Sequence, residues 1–433
     1  MASLTFKIEW EPAEGVTHAG LAATWARIEI RVGDQCVTTV YDTRTGATRS
    51  GVYGSAMLVA EWIVRNFWFL LYEGAPAELR GPAWRRRHSL AAGREGTSLP
   101  DLAFFRDERV VVAEWVATSR PDGRPVRFVE SGRAELEPSE ARRALAIAVD
   151  AVTEQLRTVT HPDVAALRAD WDTIAEMSGE DLAICSRAAR LGVDGLDEAE
   201  LTDSLESCLR GALADLPEPT GNDVLDAQIR EPHSLASAVA TVHDLVMNGG
   251  VPPLRAGTRD IGLSVSWGPP AYQVGYIAAR KLRDLHSASE GALDLDDLFR
   301  KLDLRDAQQP HAPLAAHVHQ LQAIVGASPA GVPRLFVAPR PHKHARFLQA
   351  RGLFAIAAGA AKEAPRALTN AGTRLQVASR AFAAELLAPA SLLRARMTRG
   401  GDDELLEALA DEFGVATAVI DHQIRNHGLT PDP

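Results

Sequence analysis

A chain of 433 residues exceeds what one compact core can hold, so two or three domains are expected. A hydrophobic share of 46% excludes a disordered chain, and no uninterrupted apolar run is long enough to cross a bilayer. The net charge of −11 opposes loose, phosphate-driven binding to nucleic acid.

The opening segment, MASLTFKIEW, has Glu9 and Trp10 where a secretion signal needs an apolar stretch. Cys36, Cys185 and Cys208 are odd in number and widely spaced, which fits a reducing cytoplasm without structural disulfides. No membrane partner is expected.

LTFKIEW and ARIEIRV alternate apolar and polar residues at the two-residue period of half-buried strands. QCVTTVYDT follows as a strand across a Gly33-Asp34 hairpin turn. SAMLVAEWIVRNFWFLLYEG has helical spacing with a wide apolar face, and Gly74 is its expected stop. Trp62, Phe67 and Trp68 on that helix suit a core better than a ligand-stacking surface. The basic run WRRRHS, Trp84 to Ser89, reads as a solvated or acid-paired loop rather than a phosphate site. LAFFRDERVVVAEWVA is a hairpin turning at Arg106 to Glu108, and Pro138-Ser139-Glu140 opens a helix through about Leu156.

From about 160 to 250 the pattern is mainly helical. WDTIAEMSGEDLAICSRAARLGVDGLDE contains two amphipathic segments, the second ended by Gly192, and SLASAVATVHDLVMN is a third, closed by Gly249-Gly250. His243 and Cys185 sit singly on apolar faces and read as core residues. The Gly- and Pro-rich stretch 250–270 reads as a domain edge. AYQVGYIAARKLRDLH and LDLDDLFRKLDL are helices; Asp294, Asp296 and Asp297 cap the second and lack the glycine and closing glutamate of a calcium loop. PRLFVAP is a continuously apolar strand of a sheet interior, and HARFLQARGLFAIAAGA is a helix.

A variable loop then leads to SRAFAAELLAPASLL, a short apolar helix broken by Pro389, with Ala381, Ala383 and Ala384 keeping one side thin. The final stretch, LLEALADEFGVATAVIDHQIRNHGL, has helix-turn-helix spacing. The order strand, helix, loop, helix, with RFLQA at 346–350, FAAELLAP at 382–389 and EFGVATAV at 412–419, resembles the ImmA/IrrE-type zinc metallopeptidases. Members of that family act in bacterial phage, stress and mobile-element regulation. The resemblance covers roughly the last 110 residues well, and weakly the helices from about 270.

The element pattern gives an α+β protein with a small N-terminal α/β domain over 1–157, for which no family resemblance is seen, and a helical middle region over 158–255. The resemblance implies a degenerate, zincin-like domain with terminal helix-turn-helix-like helices over 256–433. In the family, two histidines and a glutamate of H-E-x-x-H hold zinc and activate water, and an acidic residue on the later helix completes the metal site. At those positions this chain has Arg351, Gly352 and Ala355, and no carboxylate lies between Gln376 and Arg380. No cofactor is therefore expected.

Arg351 would occupy the place of the metal's charge, with Glu385 as its natural partner. Arg346, Gln349, Arg351, Arg380 and Glu385 would line a remnant cleft for a protein partner or small ligand. Two alternatives remain open. One is a zinc endopeptidase using atypical ligands among His311, His317, His319, His342 and His344. The other is a DNA-binding regulator using residues 405–428, whose second helix offers Asp421, His422, Gln423, Arg425 and Asn426 and is close to neutral.

Overall fold

The computed structural model describes the chain except residues 76–79, 94–97, 119–125, 230–231, 249–250, 255–262, 264, 266–268, 287–290, 303, 305–307, 311–319, 328–331, 338–339, 398–402 and 430–433. At 308–310 and 403 it describes the backbone alone. The architecture is α+β, with small, mostly antiparallel sheets. No helix among the described residues is long and apolar enough to cross a membrane. The chain divides into two compact units, Met1–Thr202 and Asp203–Pro433.

In the first unit Trp25–Val32 is buried at every second residue, as its alternation predicts. It pairs antiparallel with Leu4–Trp10 on one edge and with Gln35–Cys36 and Val52–Ser55 on the other. Gly33, at φ +57, makes the tight turn into Gln35 that a side chain would strain. QCVTTVYDT is not one strand: Thr39–Asp42 belongs to a different sheet, between Ala47–Ser50 and Val126–Phe128. A third sheet places Val110–Val116 between Asp101–Asp107 and Gly132–Leu136. Its hairpin turns at Glu108 and Arg109, slightly beyond the predicted position, with Glu108 at φ 51.

The helix Ala56–Tyr72 runs through the core, and Trp62, Phe67 and Trp68 are all buried there. It ends at Tyr72 on an extended Glu73 rather than on Gly74, which bridges to Arg106. The helices Pro138–Gln155, Pro162–Glu176 and Gly179–Arg190 close over this core through Val149, Trp171 and Cys185. The helices Pro162–Glu176 and Gly179–Arg190 belong to the first unit, while Glu218–Gln228 and Leu235–His243 belong to the second. His243 is half-buried near Asp215, at 3.7 Å, rather than a core residue.

The second unit has one four-stranded sheet in the order Gln308–Pro310, Pro333–Val337, Leu321–Ala327, Arg366–Thr369, parallel in its first pair and antiparallel after it. Pro333–Val337 is buried at alternate residues only, so it is half-covered rather than interior. Helix His342–Ala357 has two apolar flanks. Leu348, Ala355 and Ile356 face the sheet residues Val325, Leu335 and Leu368, while Ala350, Leu353 and Phe354 join Leu375, Ala378 and Phe382.

The thin side of the helix Arg374–Leu387 admits two neighbours. Phe354 meets Phe382 with ring centroids 5.3 Å apart. Gly275 of Ala271–Leu285 comes so near that a Cβ would lie 2.2 Å from the Ala378 carbonyl oxygen and 2.7 Å from the Phe382 nitrogen. Backbone cannot give way as a flexible side chain would. Gly275→Ala is expected to cost about 3 kcal/mol, the upper end for overpacking, read as a lower midpoint in urea unfolding followed by far-UV circular dichroism.

Candidate functional site

Arg351 is 1% exposed in the middle of its helix, where a chain that solvates charge would place an apolar residue. Each of its three nitrogens donates to a neutral acceptor. Nε donates to Ser379 Oγ at 3.1 Å, and Nη2 donates to the Thr369 carbonyl at 2.8 Å and to Gln376 Oε1 at 2.6 Å. Nη1 donates to Gln322 Oε1. Gln376 is fixed in turn: Oε1 accepts from the Thr369 N–H at 2.9 Å, and Nε2 donates to the Ala367 carbonyl at 2.7 Å. The helix Arg374–Leu387 and the strand Arg366–Thr369 therefore build a cradle of amide, hydroxyl and carbonyl oxygens around one buried cation.

Among the described residues, no carboxylate hydrogen-bonds to Arg351. Burial, reinforced by the charge of Arg380, pushes its guanidinium well below the ordinary range. Four of the five guanidinium N–H groups are thus engaged, on the side chain that holds its proton better than any other base. Charge-assisted bonds of about 1.5–3 kcal/mol each offset a desolvation penalty of several kcal/mol.

The expected partner of Arg351 is engaged elsewhere. Glu385 is buried on another face of its helix, where Oε1 accepts from Arg280 Nε at 2.7 Å and Oε2 accepts from Gln423 Nε2 at 2.9 Å and from the Ala390 N–H at 3.3 Å. Its spacing of 34 residues from Arg351 gave no register; the helical phase turns it away. Arg346 Nη2 donates to the Leu293 carbonyl at 3.0 Å, beside Gly414. Arg380 Nη1 donates to the carbonyls of Ala371 at 3.0 Å and Thr369 at 3.4 Å, so Arg351 and Arg380 share the Thr369 oxygen. Gln349 is half-buried. Of the five residues, Arg351 and Arg380 come together, while Arg346 and Glu385 lie in separate networks.

His342 and His344 are both exposed in the first turn of their helix, two residues apart, where side chains diverge. His311, His317 and His319 lie outside the described residues. In the terminal pair Asp403–Phe413 and Thr417–His427, Gln423 and Ile424 turn inward and Arg425 is paired with Asp421 on its own helix.

Two polar clusters of the first unit carry no local sequence signal. WRRRHS is a helix, Pro82–His88, not a loop, and its last turn is acid-paired within the fold. Glu73 and His88 are both buried; Glu73 Oε2 accepts from His88 Nε2 at 3.0 Å and from Arg87 Nε at 2.9 Å. His88 Nδ1 lies 2.5 Å from the Phe104 carbonyl, and Trp84 stacks on the ring at 4.2 Å. Both ring nitrogens face acceptor oxygens, the Glu73 carboxylate on one side and the Phe104 carbonyl on the other.

The second cluster is His18, His161 and Asp163, whose ligand atoms all lie within 4.8 Å of one another. Each imidazole caps a helix: His18 Nδ1 accepts the Leu21 N–H and His161 Nδ1 accepts the Asp163 N–H, both at 3.2 Å. The caps assign each ring proton to Nε2, and His18 directs that proton at Asp163 Oδ2, 3.1 Å away. A metal at Nε2 would need a lone pair there, so the caps compete with it. Compared with protein-family models and with curated proteins, the chain matches none.

Proposed function

We propose that the second unit is a zincin-like, non-catalytic scaffold that binds a partner polypeptide or a small ligand, in a regulatory, stress or phage-defence role of the kind the resemblance implies. The observation that carries this reading is the Arg351 cradle. The residue standing where the family's first histidine stands is a buried guanidinium whose Nε, Nη1 and Nη2 are all taken by neutral oxygens. A divalent cation at that point would meet an obligate positive charge in a low-dielectric interior. Gly352, at the position of the catalytic base, has the Leu335 side chain 2.7 Å from where a Cβ would be, which fills the space with carbon. Gln349 and Arg380, both half-buried, are the proposed points of ligand contact.

The test is elemental analysis of protein expressed with added zinc, washed, and compared with two variants. The wild type is expected to hold no stoichiometric zinc in this unit. Zinc that disappears in His342→Ala/His344→Ala would overturn the reading in favour of an atypical endopeptidase. Zinc that disappears only in His161→Ala would belong to the first unit and leave the reading standing.

A further inference from the structure

His18 and Asp163 stand 145 residues apart in the chain, yet with His161 they converge on one point of the first unit. The two imidazole rings lie 4.0 Å apart, centre to centre, and share a single carboxylate. Asp163 Oδ2 is 3.1 Å from His18 Nε2 and 3.7 Å from His161 Nδ1. Tetrahedral zinc, with bonds of about 2.0–2.1 Å, sets its ligand atoms about 3.3 Å apart. The carboxylate oxygen already stands near that spacing from both rings.

Helix capping does not account for the whole arrangement. A cap needs one acceptor at its own helix start; it needs neither a second imidazole nor a carboxylate against it. One contact is also unfavourable as it stands. His161 Nδ1 accepts the Asp163 N–H, so its lone pair and the Asp163 carboxylate oxygen are two acceptors side by side with no proton between them. A cation placed between them makes that contact favourable.

The caps oppose a metal only to a limited extent. His161 ligates through Nδ1 and keeps its proton on Nε2, giving up the Asp163 N–H. His18 must move its proton from Nε2 to Nδ1, which gives up the Leu21 N–H at the start of a five-residue helix. Two lost caps of ordinary size weaken the metal about thirtyfold. Structural zinc sites gain about 10⁷-fold or more, so a three-ligand site absorbs this loss. Two imidazole nitrogens and one carboxylate oxygen also select zinc over magnesium or calcium, which take oxygen ligands. All three side chains are partly exposed, so an ion can arrive from solvent and a water can complete the coordination.

We infer that His18, His161 and Asp163 form a zinc site, closed by water, that clips the start of Ala19–Ala23 to the start of Pro162–Glu176. The inference rests on the first unit alone and stands or falls separately from the reading of the second.

The experiment is a zinc titration of the untagged, metal-stripped full chain. Binding is read by competition with a fluorescent zinc indicator, and the clip by the urea midpoint of tryptophan fluorescence. One zinc per chain is expected, and the midpoint should rise as zinc is added; zinc at about a hundredfold over Kd favours the folded first unit about a hundredfold. His18→Asn and His161→Asn each keep a cap acceptor and remove the imidazole, so the fold is retained. Each should weaken zinc at least about a hundredfold, beyond what loss of an outer partner of a ligand costs. Wild-type affinity in both variants would overturn the site. Zinc lost in His342→Ala/His344→Ala, which is expected to bind as wild type does, would place the metal in the second unit and overturn it too. A midpoint raised equally by magnesium would mean binding to carboxylates and would overturn the imidazole assignment, and zinc bound without any rise would overturn the clip.

Discussion

Arg351→Ala is expected to lower the stability of the second unit by about 3–5 kcal/mol. Two losses combine. The truncation leaves a cavity in the core, and Ser379 Oγ, Gln376 Oε1 and the Thr369 carbonyl each lose the Arg351 donor, the last two keeping only the Thr369 N–H and Arg380. The relief of a desolvated charge works in the opposite direction, which is why the sum stays below the total of the individual bonds. Arg351→Met separates the contributions: it fills the volume and removes only charge and donors. A methionine variant as stable as wild type would show that the network adds nothing net. The two units must be read apart, since a two-unit chain does not unfold in one step. Seven of the eight tryptophans, Trp10 to Trp171, lie in the first unit. Tryptophan fluorescence therefore follows that unit and should keep its urea midpoint, while circular dichroism shows the earlier loss of helix.

The second large effect is expected in the first unit. His88→Ala removes a buried partner of a buried carboxylate, a change that costs about 3–5 kcal/mol, and it should appear as a lower midpoint in tryptophan fluorescence. The pH dependence has a definite sign. Burial works against the Glu73 charge, but the hydrogen bonds from His88 and Arg87 outweigh it and hold the carboxyl below its ordinary 4.5. A carboxyl depressed in the folded state contributes its full stabilisation above that ordinary value, and the contribution is lost as pH falls through the lower folded value. The first unit should therefore lose stability on acidification below about 4.5. His88→Gln, which keeps a single donor, should flatten this acid dependence. An identical acid profile in wild type and variant would remove Glu73 as its source.

Elements with a full period of side chains were legible in the sequence. Trp25–Val32 shows eight residues of alternation, and Ala56–Tyr72 shows a helical face over 17 residues. Short strands were not. Leu321–Ala327 is a compact apolar run with no alternation, and Arg366–Thr369 is only four residues long, read as loop, its one strand partner Leu321–Ala327 lying about forty residues earlier in the chain. The Arg351 position was legible as a charge at the centre of a packing motif, but its acceptors were not, because Gln322, Thr369 and Gln376 reach it from separate elements. Glu385 was read as its counter-ion on the expectation that the two helices face each other. Helical phase instead sends that carboxylate to Arg280 and Gln423, which are distant in sequence and near in space. The Glu73–His88 pair was hidden for the same reason, since 15 residues and a turn separate its members.

One link in the second unit bears on how the chain reaches its fold. Asp223 accepts from Arg366 at 2.7 and 2.8 Å and from the Ala367 N–H at 3.0 Å, joining the helix Glu218–Gln228 to an edge strand 143 residues later. Thr220 donates to the Pro365 carbonyl at 2.6 Å, beside it. During synthesis the early helix must wait, with a buried acid and no base, until nearly the whole unit has been made. Loop closure of that length is slow, and the edge of the sheet is open until it happens. The second unit is thus expected to assemble late, and in a chain cut anywhere between residues 250 and 365 Asp223 is left without Arg366 and the Ala367 N–H.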